Sequence, residues 1–247
     1  MDRQLFELCL GGRTLRYLLR DPAAARYFAM PLRPCGGDSW DVTLDDELMR
    51  WARDLFPPSY SDAMVEYKIL VIPTARALLR VGACILHGLA FAWRGRAWLL
   101  CGPSGAGKTT QYRRWMELCG EELRLICGDM PAVSLEPDGS VLISPSPWPG
   151  KEGWPGVTQA PLGGVVYLEQ AGENAISPMS PPQAIPLLLD SCLCRPDSTD
   201  DIRSIAALLD RIISDHPVWL LRNRGDLASA RLTMETLDAY LTKGTTQ

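Results

Sequence analysis

Gly102-Pro-Ser-Gly-Ala-Gly107-Lys108-Thr109 has the spacing G-x-x-x-x-G-K-T, which suits the binding of nucleotide phosphates. Glycines at these positions let backbone N–H groups turn inward and cradle phosphate oxygens. The lysine reaches the β- and γ-phosphates, and the hydroxyl after it ligates Mg²⁺. The candidate ATP-binding residues are therefore Gly102, Ser104, Gly105, Ala106, Gly107, Lys108, Thr109 and Thr110. Asp129 follows Lys108 by 21 residues and ends the apolar run LRLICGD. A carboxylate at the end of a strand beside a phosphate loop is placed for Mg²⁺ or for general-base work. His87 precedes Gly102 by 15 residues and could tune that carboxylate or shuttle a proton. Lys151 lies in Ser-Pro-Trp-Pro-Gly-Lys-Glu-Gly, residues 146–153, where a cation could stabilise charge on a transferred phosphoryl group. Glu169 ends LGGVVYLE and is a candidate second carboxylate for the metal, beside Thr109 and Asp129. Trp148 and Trp154 flank Lys151, either packing its loop down or walling a substrate.

The elements needed to hold these groups are legible around them. AWLLC reads as a strand leading into the loop, and TTQYRRWMELC as a helix leaving it. CILHGLAFAW and RAWLLCG, joined at Gly95, read as a hairpin with His87 on its first strand. MPAVSLEPDGSVLIS reads as a second hairpin turning at Asp138-Gly139. LGGVVYLEQ is a strand of the buried kind. Helices are expected at about 181–193, 199–214 and 226–241, with the strand PVWLLRN before the last. Upstream, QLFELCLGG and RTLRYLLRD suggest a hairpin at Gly11-Gly12. A short helix at DDELMRWARDLF follows, closed by Pro57-Pro58. Residues 61–79 have helical spacing, with a kink or restart at Pro73. The expected organisation is an α/β fold, a mixed sheet around the phosphate loop over residues 61–247, with a small α+β module at residues 1–60.

Composition excludes several other functions. The 247 residues carry 25 Lys plus Arg against 29 Asp plus Glu, a net charge of −4. An acidic balance argues against sequence-independent binding to nucleic acid. No run approaches the ~18 apolar residues of a membrane-spanning helix, and MDRQLFELCL lacks a signal-peptide layout. The eight cysteines are scattered, with a lone C-x-C at Cys192 and Cys194. That predicts a reduced cytoplasmic protein with packed thiols. Asn223-Arg-Gly-Asp226 approximates the N-K-x-D of a GTPase, but its lysine is missing and no D-x-x-G stands where a switch would. Only four of the basic residues are lysines, Lys68, Lys108, Lys151 and Lys243, and two of them fall in the candidate site.

LHGLAFAWRGRAWLLCGPSGAGKTT followed by LICGD resembles the core of the HPr kinase/phosphorylase family. The chain is more similar still to the smaller HPr-kinase-related proteins found near peptide-modification genes. It shares with them Glu66-Tyr67-Lys68 before the histidine, the Ser-Pro-Trp-x-Gly-Lys-Glu loop at 146–152, and a strand ending Leu-Glu-Gln at 168–170. The resemblance covers about residues 61–190. It implies a nucleotide-binding fold of the phosphoenolpyruvate-carboxykinase type, kinase activity on a serine-like hydroxyl, and assembly as a homo-oligomer. It further implies ATP at Gly102 to Thr109, Asp129 as base or metal partner, and His87 in support of that base. Three departures stand out. Gly128-Asp129 replaces an aspartate pair, about 60 residues replace a long N-terminal domain, and the Gly-Lys-Glu loop stands near the place of an Arg-Gly-rich signature. They point away from HPr as substrate and from the reverse, phosphorylase reaction.

The expected function is Mg²⁺-ATP-dependent phosphorylation of a hydroxyl, serine in a peptide or protein. A kinase acting on free serine or a similar metabolite is the enzymatic alternative. A nucleotide-binding accessory module without transferase activity is the other.

Overall fold

The computed structural model describes residues 4–28, 30, 34–36, 38–153, 156, 158–194 and 198–244. Strands β1 (Gln4–Leu10) and β2 (Arg13–Leu19) pair antiparallel about Gly11-Gly12, and β3 (Ser39–Val42) joins β2 in parallel. The sequence reading missed β3. Its four residues follow a Pro/Gly-rich stretch and are too few to show an alternation. Helix α1 (Asp46–Leu55) starts at Asp45, whose carboxylate accepts the Leu48 N–H at 2.7 Å.

The helical spacing of 61–79 resolves into α2 (Asp62–Ile69) and α3 (Val71–Leu79). Pro73 has no N–H for the Ile69 carbonyl, and the first helix ends at Ile69. Glu66 on α2 is only 1% exposed. Its carboxylate accepts the backbone N–H groups of Arg20 and Asp21 at 2.7 and 2.9 Å. Burial pushes its carboxyl up, and the two hydrogen bonds oppose that. Leu8, Leu15 and Tyr17 share one continuous core with Leu70, Leu78, Ile85 and Val133, so the first strands are packed into the rest of the chain.

The main sheet has nine strands among the described residues. They are β4 (Ala83–Ile85), β5 (Gly88–Trp93), β6 (Arg96–Cys101), β7 (Arg124–Cys127), β8 (Ala132–Leu135), β9 (Val141–Ser144), β10 (Ala160–Gln170), β11 (Ala175–Pro178) and β12 (Val218–Asn223). The first residues of β10 pair antiparallel with β9, and its remainder lies parallel between β6 and β12. β5 is antiparallel to both β6 and β7. The strands β7, β6, β10 and β12 therefore run the same way, and their carboxyl ends share one edge. Ligands of open α/β sheets bind along that edge.

Side chains of β10 alternate between two cores. Val165 and Tyr167 face one, Val166 and Leu168 the other. Helices α4 (Lys108–Cys119) and α7 (Leu227–Gly244) cover the second face, where Trp115 and Leu237 are buried. Helices α5 (Pro181–Ser191) and α6 (Thr199–Asp215) contribute Leu188, Ile205 and Leu209 to the first.

One expected strand is divided. CILHGLAFAW breaks at Leu86-His87, so that β4 pairs with β8 while β5 pairs with β6. At the break the His87 N–H donates to Ser191 O at 2.7 Å, and the Gly88 N–H to Asp129 O at 2.8 Å. The chain changes partners there, and His87 sits in the junction rather than inside a strand.

Candidate functional site

The glycine-rich loop at 102–107 joins the end of β6 to α4. Gly102 has φ of +138°, and a Cβ there would stand 2.6 Å from the Leu168 carbonyl oxygen on β10. Both facts require glycine. Ser104, Gly105 and Thr110 are exposed, Ala106 is buried, and Gly107, Lys108 and Thr109 are half-buried. The Lys108 ammonium donates to the carbonyls of Gly102 and Pro103 at 2.8 and 3.2 Å. It curls over its own loop, and burial pushes its pKa down.

Two carboxamides from neighbouring strand ends hold the loop from outside. Gln170 Nε2 donates to Gly105 O at 2.7 Å, and Asn223 Nδ2 to Ala106 O at 3.3 Å. Asn223 Oδ1 also accepts the Gly225 N–H at 2.7 Å and lies 2.6 Å from the Ser229 hydroxyl, which is 2.8 Å from Gln111 Oε1. Asn223, Gln111 and Ser229 are all buried. The N-R-G-D segment thus serves as support. Its asparagine braces the loop, while Asp226 accepts the Ser229 N–H at 2.9 Å near the start of α7. Sequence reading did not identify this brace, although the polar residue at the end of an apolar strand was a signal. Asn223→Ala leaves several buried groups without partners. It should cost about 1–3 kcal/mol in urea unfolding and weaken nucleotide binding in parallel titrations.

Asp129 stands just beyond β7, its side chain 37% exposed and that of His87 36%. His87 Nε2 lies 3.5 Å from Asp129 Oδ1, longer than a direct hydrogen bond. Burial raises the Asp129 carboxyl, and His87, Lys108 and Lys68 each pull it back. Burial, then Lys108, push His87 below its ordinary value, and Asp129 opposes them. Burial and Lys108 therefore favour the neutral imidazole. Lys68 is a cation of the site that spacing did not reveal. It comes from α2, with its ammonium 5.7 Å from the centre of the Tyr60 ring.

The loop after β9 runs beside Asp129. Trp148, 5% exposed, stacks on Tyr67 and donates its indole N–H to Tyr67 O at 3.0 Å. The Tyr67 hydroxyl donates to Pro147 O at 2.8 Å. Trp148 therefore packs the loop down, whereas Trp154 lies outside the described residues. The three residues of Glu66-Tyr67-Lys68 act on different parts of the molecule. The first anchors the chain at Arg20-Asp21, the second holds this loop, and the third supplies positive charge that lowers the Asp129 carboxyl. Lys151 is exposed in the turn Gly150–Glu152. Glu169 is exposed at the end of β10, and among the described residues no hydrogen bond or ion pair joins it to Asp129, Lys108 or Thr109.

The lone C-x-C has company. Cys192, burial, Cys194 and Cys101 all push the Cys84 thiol up, while the Cys192 thiol donates to Leu188 O at 3.4 Å. None of the four is in a disulfide, and among the described residues no group of three or more His, Cys, Asp or Glu side chains could hold a metal. Mg²⁺ does not need such a group: it takes one or two carboxylates, with phosphate oxygens and water completing its octahedron. The oxygen donors Thr109 and Asp129 fit that requirement.

No protein-family model and no curated protein matches the chain. Among solved structures it is similar to the HPr(Ser) kinase/phosphatase from Coxiella burnetii, at 10% identity and a TM-score of 0.37, over 66% of this chain and 99% of that one. That likeness is one of distant fold alone.

Proposed function

We propose that the protein is a Mg²⁺-ATP-dependent kinase that phosphorylates a hydroxyl, serine in a peptide or protein. The observation that carries this reading is the proximity of Asp129, His87 and Lys108 at the sheet edge that bears the phosphate loop. Phosphoryl transfer asks a protein mainly for positioning and charge stabilisation. Backbone N–H groups of residues 102–109 would hold the phosphates, and Lys108 would exchange its two carbonyl partners for β- and γ-oxygens. Bound at Thr109 and Asp129, Mg²⁺ would offset the charge of those oxygens. Asp129, raised toward neutrality by burial, would accept or position the proton of the acceptor hydroxyl. His87, its neutral form favoured by burial, would hold Asp129 in place without quenching its charge. Lys151 would balance charge from the loop beside Asp129, and Glu169 is retained as an outer carboxylate for the metal.

The test is incubation with γ-labelled ATP and Mg²⁺, offering serine-containing peptides in one series and free hydroxyl metabolites in the other. Label recovered as phosphoserine in a peptide is the expected result. Label only on a small metabolite would shift the substrate class. Tight ATP binding with no transfer in either series would leave a nucleotide-dependent binding module.

A further inference from the structure

The loop that passes Asp129 is tied at two points. Its root is held on α2 through Pro147 and Trp148. Its far end is held on α4, where the Glu152 carboxylate lies 3.3 Å from the Arg113 guanidinium. Arg113 follows Thr109 by about one helical turn, so this tie reaches the helix that opens at the phosphate loop.

Between the two ties the loop touches the strand end closely. A Cβ on Gly128 would meet the Pro149 carbonyl oxygen at 2.5 Å and Glu152 Cγ and Cβ at 3.0 and 3.1 Å. A Cβ on Gly150 would stand 2.7 Å from the Asp129 Cβ. The Glu152 side chain thus fills the space that a side chain at 128 would need. That explains in steric terms why residue 128 is glycine. Glu152 is 17% exposed and Arg113 66%: the acid is sunk against the strand, and the base reaches over it from outside.

We propose that the Arg113–Glu152 pair is the latch that keeps residues 149–152 across Asp129. Arg113 and Glu152 are then positioning residues for the transfer reaction proposed above, on which this inference rests. The groups facing Asp129 come from several elements: His87 at the β4–β5 junction, Lys108 on α4, and Lys68 on α2. Tyr67 on α2 faces it too. Gly150 covers the side chain from the loop. Opening the latch removes that cover, admits more water to the carboxylate, and displaces Lys151 with the turn.

The test uses full-length protein with Arg113→Met, Arg113→Lys and Glu152→Gln. Because Arg113 is largely exposed, its variants are expected to fold. Hydrogen exchange of the peptide spanning 147–153, without nucleotide, should be about fivefold faster in Arg113→Met and Glu152→Gln, and near wild type in Arg113→Lys. Turnover should fall about tenfold in the first two and recover in Arg113→Lys, with ATP affinity within about twofold throughout. Unchanged exchange in Arg113→Met overturns the latch. Faster exchange with unchanged turnover overturns the positioning role. If the wild-type protein transfers phosphate to no acceptor, the kinase reading fails by itself, and the exchange rates still decide for or against the latch.

Discussion

Asp129→Asn should lower phosphoryl transfer by about a thousandfold while binding of metal-free ATP stays close to wild type, since the substitution leaves the loop at 102–109 untouched. The amide keeps the shape of the carboxylate and loses its basicity. The pH dependence makes the expectation sharper. Burial raises the Asp129 carboxyl, and the pull of His87, Lys108 and Lys68 does not cancel the rise. Activity requires the ionised form, whose share in the metal- and nucleotide-free protein should fall as pH drops through a pKa above the ordinary carboxylate range. Stability should move the other way. A carboxyl raised on folding contributes stability below its unfolded pKa and loses it as pH rises through the folded one. At pH 8 the ionised Asp129 is thus a cost to the fold that asparagine lacks. Calorimetry should show a higher midpoint for the variant at pH 8, with the gap closing under acid conditions. The gain should be small, because a side chain 37% exposed is partly screened by water. Full transfer by Asp129→Asn, on any true acceptor, would remove this residue from the chemistry.

What the sequence made legible follows from how locally each feature is determined. The glycine-rich loop at 102–107 is specified by consecutive residues, with Gly102, Gly105 and Gly107 at positive φ between β6 and α4. β10 was legible as well: an apolar run with no polar alternation has to be covered on both faces, and Val165 to Leu168 are buried in two cores. Contacts between distant residues left weaker signs. Asn223 braces Ala106 from 117 positions away, and nothing in its spacing marks that. Glu152 looked like one more polar residue of a Pro/Gly-rich loop until its packing against Gly128 came into view. The thiols of Cys84, Cys101, Cys192 and Cys194 seemed scattered because the sheet gathers them across more than a hundred residues. The division at His87 was hidden for a related reason. Periodicity reports that a segment is extended, whereas its partners depend on Ser191 and Asp129, far along the chain.

Lys108→Met should reduce transfer by about a hundred- to a thousandfold, and it should also change the titration of the site. Methionine keeps much of the length and apolar stem of lysine and removes the charge and its donors. In the free protein the ammonium binds the carbonyls of Gly102 and Pro103, so its loss frees those oxygens as well as the positive end offered to phosphate. Lys108 lowers both the His87 imidazole and the Asp129 carboxyl. Without it both should titrate higher in the free protein. Carbon-detected titration of the Asp129 carboxyl and of the His87 ring measures these shifts in the absence of nucleotide. Lys108→Arg separates the two roles of the residue. It keeps the charge, so the titrations of His87 and Asp129 should stay near wild type. A planar guanidinium is a poor substitute for a compact ammonium between Gly102 O and Pro103 O, so transfer should remain low. If Lys108→Met binds and uses ATP as well as the wild type does, the loop at 102–109 is not where the phosphates sit.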